Sequence, residues 1–146
     1  MENDYPDESR LSLVYEKPYG KVYIMKPEKV MICVLLDDYV PIRKFKEIFN
    51  AMTDFVKEYG IKKFIFDKRH LRAFHQPSME WYFVDWKMEM YELGLDKHRK
   101  ILPKGQDWFR DAVDAGRDRI MRKHPNLELD KLDIQYRNGV DEAIED

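Results

Sequence analysis

The sequence predicts an α/β fold of the α+β-like kind: one mixed sheet that opens as an antiparallel β meander and continues as βα units, with helices packed on it. Three observations lead there. Three β-rich segments separated by turn-forming residues occupy positions 11 to 36; the hydrophobic period changes to that of a helix at Pro41; and strand and helix patterns alternate from there on.

In order, Leu11–Tyr15, Lys21–Met25 and Val30–Leu36 are the strands of the meander, punctuated by Pro18-Tyr19-Gly20 and Lys26-Pro27-Glu28. The third is apolar throughout, as suits a strand covered on both faces. From Pro41, Ile42, Phe45, Ile48, Phe49, Met52, Phe55, Val56 and Tyr59 recur at steps of three and four, giving a one-sided helix that starts at a proline and stops at Gly60. Ile61–Asp67 is the next strand, and the strand-helix-strand order requires a right-handed crossover with parallel pairing. A helix follows over Pro77–Leu93, a strand over His98–Leu102, a helix over Asp107–Lys123, a strand over Asp133–Tyr136, and a last helical turn after Asn138-Gly139. Residues 1 to 9 read as a flexible tail, and 10 to 146 as a single domain.

Composition narrows the function classes. With 146 residues, 44% of them apolar, the chain is long enough for a core without disulfides or structural metal. Its single cysteine, Cys33, lies mid-strand among apolar neighbours and excludes a disulfide framework. No apolar run approaches the length of a membrane span and no signal-peptide pattern opens the chain, so a cytoplasmic protein without membrane association is expected. A balance of 26 Lys+Arg against 28 Asp+Glu lacks the overall attraction that drives nucleic-acid binding. No catalytic signature is present: Ser9, Ser12 and Ser78 lie outside any nucleophile elbow, no metal or cofactor motif occurs, and a non-enzymatic protein is expected.

Two constellations stand out. At about 100° per residue, the segment Met79–Leu93 carries two apolar stripes: Met79, Tyr82, Phe83, Trp86, Met90 and Leu93 on one side, and Trp81, Val84, Met88 and Tyr91 on the other. One stripe faces the sheet; the second is either covered by a neighbouring segment or forms the interface of a homodimer or with a protein partner. Lys87 falls on a polar flank. The second constellation, Asp67, Arg69, His70 and His75, lies at the carboxyl end of a central strand, where open sheets bind ligands, although the same run also fits a solvated loop with an internal ion pair. The basic strand Lys97-His98-Arg99-Lys100 reads as a charged sheet edge, more polar than an enclosed strand tolerates.

The runs Phe64–Leu71, Trp81 and Trp86, Leu93-Gly94-Leu95, Ile134-Gln135-Tyr136 and Glu142-Ala143-Ile144 resemble small, mostly uncharacterised bacterial proteins with a STAS-like (SpoIIAA-like) domain, over roughly residues 20 to 145. The resemblance implies a layered mixed sheet and a stand-alone regulatory or ligand-binding module that self-associates. It carries over no catalytic residue. Asp67-Lys68-Arg69-His70 lacks the Ser or Thr that anti-sigma-factor antagonists of this fold phosphorylate, which argues against that switch. The leading expectation is therefore a homodimeric interaction module; the alternative is a protein that binds a small lipid-like or anionic molecule near Asp67–His75.

Overall fold

A computed structural model describes residues 3–105 and 107–146. The order is β1 (Ser12–Lys17), β2 (Gly20–Met25), β3 (Val30–Leu35), α1 (Ile42–Tyr59), β4 (Lys63–Asp67), α2 (Gln76–Trp81), a π turn (Tyr82–Trp86), α3 (Lys87–Glu92), β5 (Lys97–Ile101), α4 (Asp107–Lys123), β6 (Asp133–Tyr136) and α5 (Val140–Glu145). The six strands form one sheet in sequence order, with β1, β2 and β3 antiparallel and β3 to β6 parallel. This is the mixed α/β architecture that the hydrophobic periods predict. Among the described residues no helix is long and apolar enough to cross a membrane.

Each face of the sheet has its own core. Val22, Ile24, Met31, Cys33, Phe64 and Phe66 point toward α1, α2, the π turn, α3 and α4, whereas Ile32, Val34, Ile65 and Ile101 point toward α5 and the N-terminal segment. Helix α1 inserts Phe45, Ile48, Phe49, Met52 and Val56 into the larger core, each such side chain contributing about 1.5–3 kcal/mol of burial. Gly60 closes α1 in the left-handed conformation at φ 63°, its N–H bonding to the Val56 carbonyl. Of the expected tail, residues 1 and 2 lie outside the described residues, while Tyr5 packs edge-on against Tyr23.

Two expectations are corrected. β5 is an interior strand, paired with β4 on one side and β6 on the other, and β6 takes the edge. His98, Arg99 and Lys100 are buried because the strand alternates between two covered faces: Arg99 and the half-exposed Lys97 toward the C-terminus, His98 and Lys100 into the larger core. The segment 76–93 is also not one uniform α-helix. The π turn is wider and advances less than 100° per residue, so the residues after it rotate relative to those before it. That rotation brings Lys87 off the expected flank and into full burial, while Leu93, expected inside, ends 39% exposed just before Gly94 turns the chain at φ 97°.

Candidate functional site

The carboxyl end of β4 divides the predicted site residues between the two faces of the sheet. On the α5 face Asp67 is fully buried, and its carboxylate accepts hydrogen bonds from Arg69 Nε at 2.9 Å, Arg69 Nη2 at 2.8 Å and the Tyr5 hydroxyl at 2.7 Å. The other side of the Arg69 guanidinium holds Asp4 through two bonds of 3.0 and 3.1 Å, and Asp4 Oδ2 also accepts the Val140 N–H at 2.7 Å. Burial opposes ionisation of Asp4, but Arg69 and the Val140 N–H outweigh it and hold the carboxyl below its usual range. Asp67 and Arg69 thus form the internal ion pair, locked by the N-terminal segment, and His70 stands exposed at the rim of a shallow depression beside Tyr5 and Asp67.

His75 lies on the opposite face. It precedes α2 and shares with Lys68, Leu71, Phe74, Ser78 and Tyr82 the wall of a cleft whose floor is Leu35, Phe45, Phe66 and Val113. The cleft is a narrow slot of about 40 Å³ that opens to solvent at its mouth. The lining is mostly hydrocarbon and aromatic. Its polar groups are few: Ser78 Oγ and His75 Nδ1, 3.0 Å apart, and the Lys68 amine, 5.0 Å from the centre of the Phe66 ring. Burial alone lowers the Lys68 pKa to about 8.

Behind Tyr82 the same core holds more nitrogen. Lys87 Nζ lies 4.4 Å from the Tyr82 ring centre and Lys100 Nζ 4.4 Å from that of Phe83, and both lysines are fully buried. Neither amine has a hydrogen-bond partner among the described residues, nor do either ring nitrogen of His98 or the Tyr82 hydroxyl. Burial, reinforced by the neighbouring cations, drives the pKa values of Lys87, Lys100 and His98 far down; Lys68 and Arg117 add to the effect on Lys87 and Lys100, and Asp114 opposes it weakly at Lys100. The other face behaves differently. Lys63 Nζ donates to the carbonyls of Ala143 at 2.8 Å and Ile144 at 3.0 Å at the end of α5, and Arg99 pairs with Asp133 at 2.9 Å and with Asp146. Cations facing α5 are paired, whereas those facing the cleft and its back wall are not. Buried polar groups almost always find partners, so a cluster without them behind the cleft makes this face the candidate site.

Pattern reading missed Lys68, Ser78, Tyr82, Lys87, His98 and Lys100. The available signal was Lys97-His98-Arg99-Lys100 itself: once β5 is placed inside a parallel sheet, alternation must send two of its basic residues into a core. The half-buried residues Trp81, Val84, Met88 and Tyr91 pack against the larger core from outside, with Trp81 edge-on to Phe45 and Phe49 and under the Lys46 amine. Trp86 is enclosed, its indole N–H donating to the Phe49 carbonyl and Thr53 hydroxyl, both at 3.1 Å. Among the described residues no three His, Cys, Asp or Glu side chains converge as a metal centre needs. Cys33 is a free, fully buried thiol whose pKa burial pushes up. No protein-family model matches the chain, and a search of curated proteins finds no match either.

Proposed function

We propose that this chain is a STAS-like module that binds a small amphipathic anion, a monocarboxylate with a short hydrocarbon chain, in the cleft between β4 and α2. The observation that carries this reading is the Lys68 side chain, largely buried in the lining of an apolar slot, with no acidic partner contributing to its charge state. At neutral pH this lysine is mostly protonated, and a carboxylate would complete an ion pair that the protein itself does not supply. The hydrocarbon chain would lie against Leu35, Phe45, Phe66 and Met79, and the Ser78–His75 pair would add a donor to the head group. The reading suits a reducing, cytoplasmic setting, where Cys33 stays a thiol.

Calorimetric titration of hexanoate at pH 7 tests it. The native chain binds, and Lys68→Met lowers the affinity at least tenfold with the fold intact; equal binding by both, or none by either, removes the reading. A second reading is a homodimer through Trp81, Val84, Met88 and Tyr91, favoured by all four keeping part of their surface in solvent on one side of α2 and α3. Light scattering decides it: Trp81→Glu drops the mass from dimer to monomer, whereas an unchanged mass dismisses that interface.

A further inference from the structure

The cleft holds more than a binding site needs. A carboxylate receptor needs little beyond a fixed cation; an imidazole and a hydroxyl bonded to each other in the same lining as that cation are the equipment of proton transfer. Ser78 is almost fully buried, His75 is half-buried, and Ser78 Oγ lies 3.0 Å from His75 Nδ1, so this pair lines the same slot as the amine.

We propose that Lys68 is an imine-forming nucleophile, and that the cleft reversibly captures straight-chain aldehydes or ketones as a Schiff base, with His75 and Ser78 relaying the protons. This rests on the cleft reading above and names a second ligand class for it. The neutral amine adds through its lone pair to the carbonyl carbon; the C–N bond forms as the C=O π pair moves to oxygen. One amine proton passes to that oxygen, giving a carbinolamine. His75, oriented by Ser78, relays a proton to the hydroxyl, which departs as water while the nitrogen lone pair closes C=N, and the remaining N–H proton passes back to His75. Aldehyde and amine yield imine and water with no change of oxidation state, and hydrolysis reverses each step. A pKa of about 8 leaves a useful fraction of Lys68 neutral under mildly alkaline conditions, far more than an exposed lysine has. Lys87 and Lys100 lie deeper, behind Tyr82 and Phe83, outside the lining of the slot.

The test is reductive trapping. The native chain is incubated with hexanal at pH 8 and sodium borohydride is added; peptide mass spectrometry then scores hexyl addition at Lys68 against exposed Lys57. The result expected is labelling at Lys68 at least tenfold faster than at Lys57, a rate falling about 100-fold in His75→Asn, and competition by hexanoate. Lys68→Arg, which has no nucleophilic amine, abolishes the adduct, whereas Lys57→Arg, outside the cleft, leaves labelling at Lys68 unchanged. Labelling at Lys68 no faster than at Lys57, or unaffected by His75→Asn in a chain whose circular dichroism is native, overturns the imine role and leaves the binding reading standing. Loss of hexanoate binding in the native chain overturns both.

Discussion

Lys87 and Lys100 approach one pair of aromatic rings from two elements: Lys87 Nζ is 4.4 Å from the Tyr82 ring centre and 5.2 Å from that of Phe83, while Lys100 Nζ is 6.0 Å and 4.4 Å from the same two. Aromatic faces attract cations, but an amine fully removed from water and without a hydrogen bond still costs stability. Lys100→Met keeps the side chain's shape and removes the polar atom, and is expected to stabilise the fold by about 1–3 kcal/mol. Urea unfolding of the variant checks it; a lower midpoint would show that Lys100 is engaged by something other than the two rings.

The paired face predicts the opposite. Arg69→Ala leaves the Asp67 carboxylate buried without its main counter-ion and is expected to cost about 3–5 kcal/mol. Asp4→Ala removes only the outer half of the network, where the side chain is partly solvated, and is expected to cost about 1 kcal/mol. Equal losses in the two variants, read from urea midpoints, would contradict this ordering.

Stability should rise with pH above neutrality. The Lys68 pKa of about 8 in the fold lies below its ordinary value of 10.5, so between these two the unfolded chain binds a proton that the folded chain does not. That contribution is absent below about pH 8 and complete above about 10.5, worth on the order of 3 kcal/mol. Lys87 and Lys100 act in the same direction, over windows that begin at lower pH. The buried tyrosines Tyr5 and Tyr82, whose pKa values burial raises, oppose the trend as pH nears their ordinary 10. Melting temperatures from pH 7 to 9.5 should therefore increase in the native chain and stay flatter in Lys68→Met; parallel curves would refute the assignment.

Much of the architecture was legible in the sequence because periodicity reports which side of an element meets a core. The meander, α1 with its Pro41 start and Gly60 stop, α4 over Asp107–Lys123 and the parallel crossover all follow from local pattern. What failed had non-local causes. The interior place of β5 depends on β6 and on Asp146 arriving to pair Arg99, 47 residues away in sequence. Lys87 turns inward only because a π turn breaks the 100° step. At the site, Asp67, Arg69 and His70 lie on one face of the sheet and His75 on the other, a division set by strand alternation at the end of β4 and by the path of the loop after it. Lys68, one residue from Asp67, reads as solvated in the sequence because a lysine between an aspartate and an arginine looks so until its face of the sheet is known.

The most direct test of the central claim is the titration of Lys68 itself, followed by NMR of the lysine side-chain amines from pH 6 to 11 with and without hexanoate. Free, Lys68 should titrate near 8, well apart from the exposed lysines, and bound carboxylate should move that midpoint upward by stabilising the charged form. A Lys68 signal that titrates with the exposed lysines and does not respond to hexanoate would contradict the account.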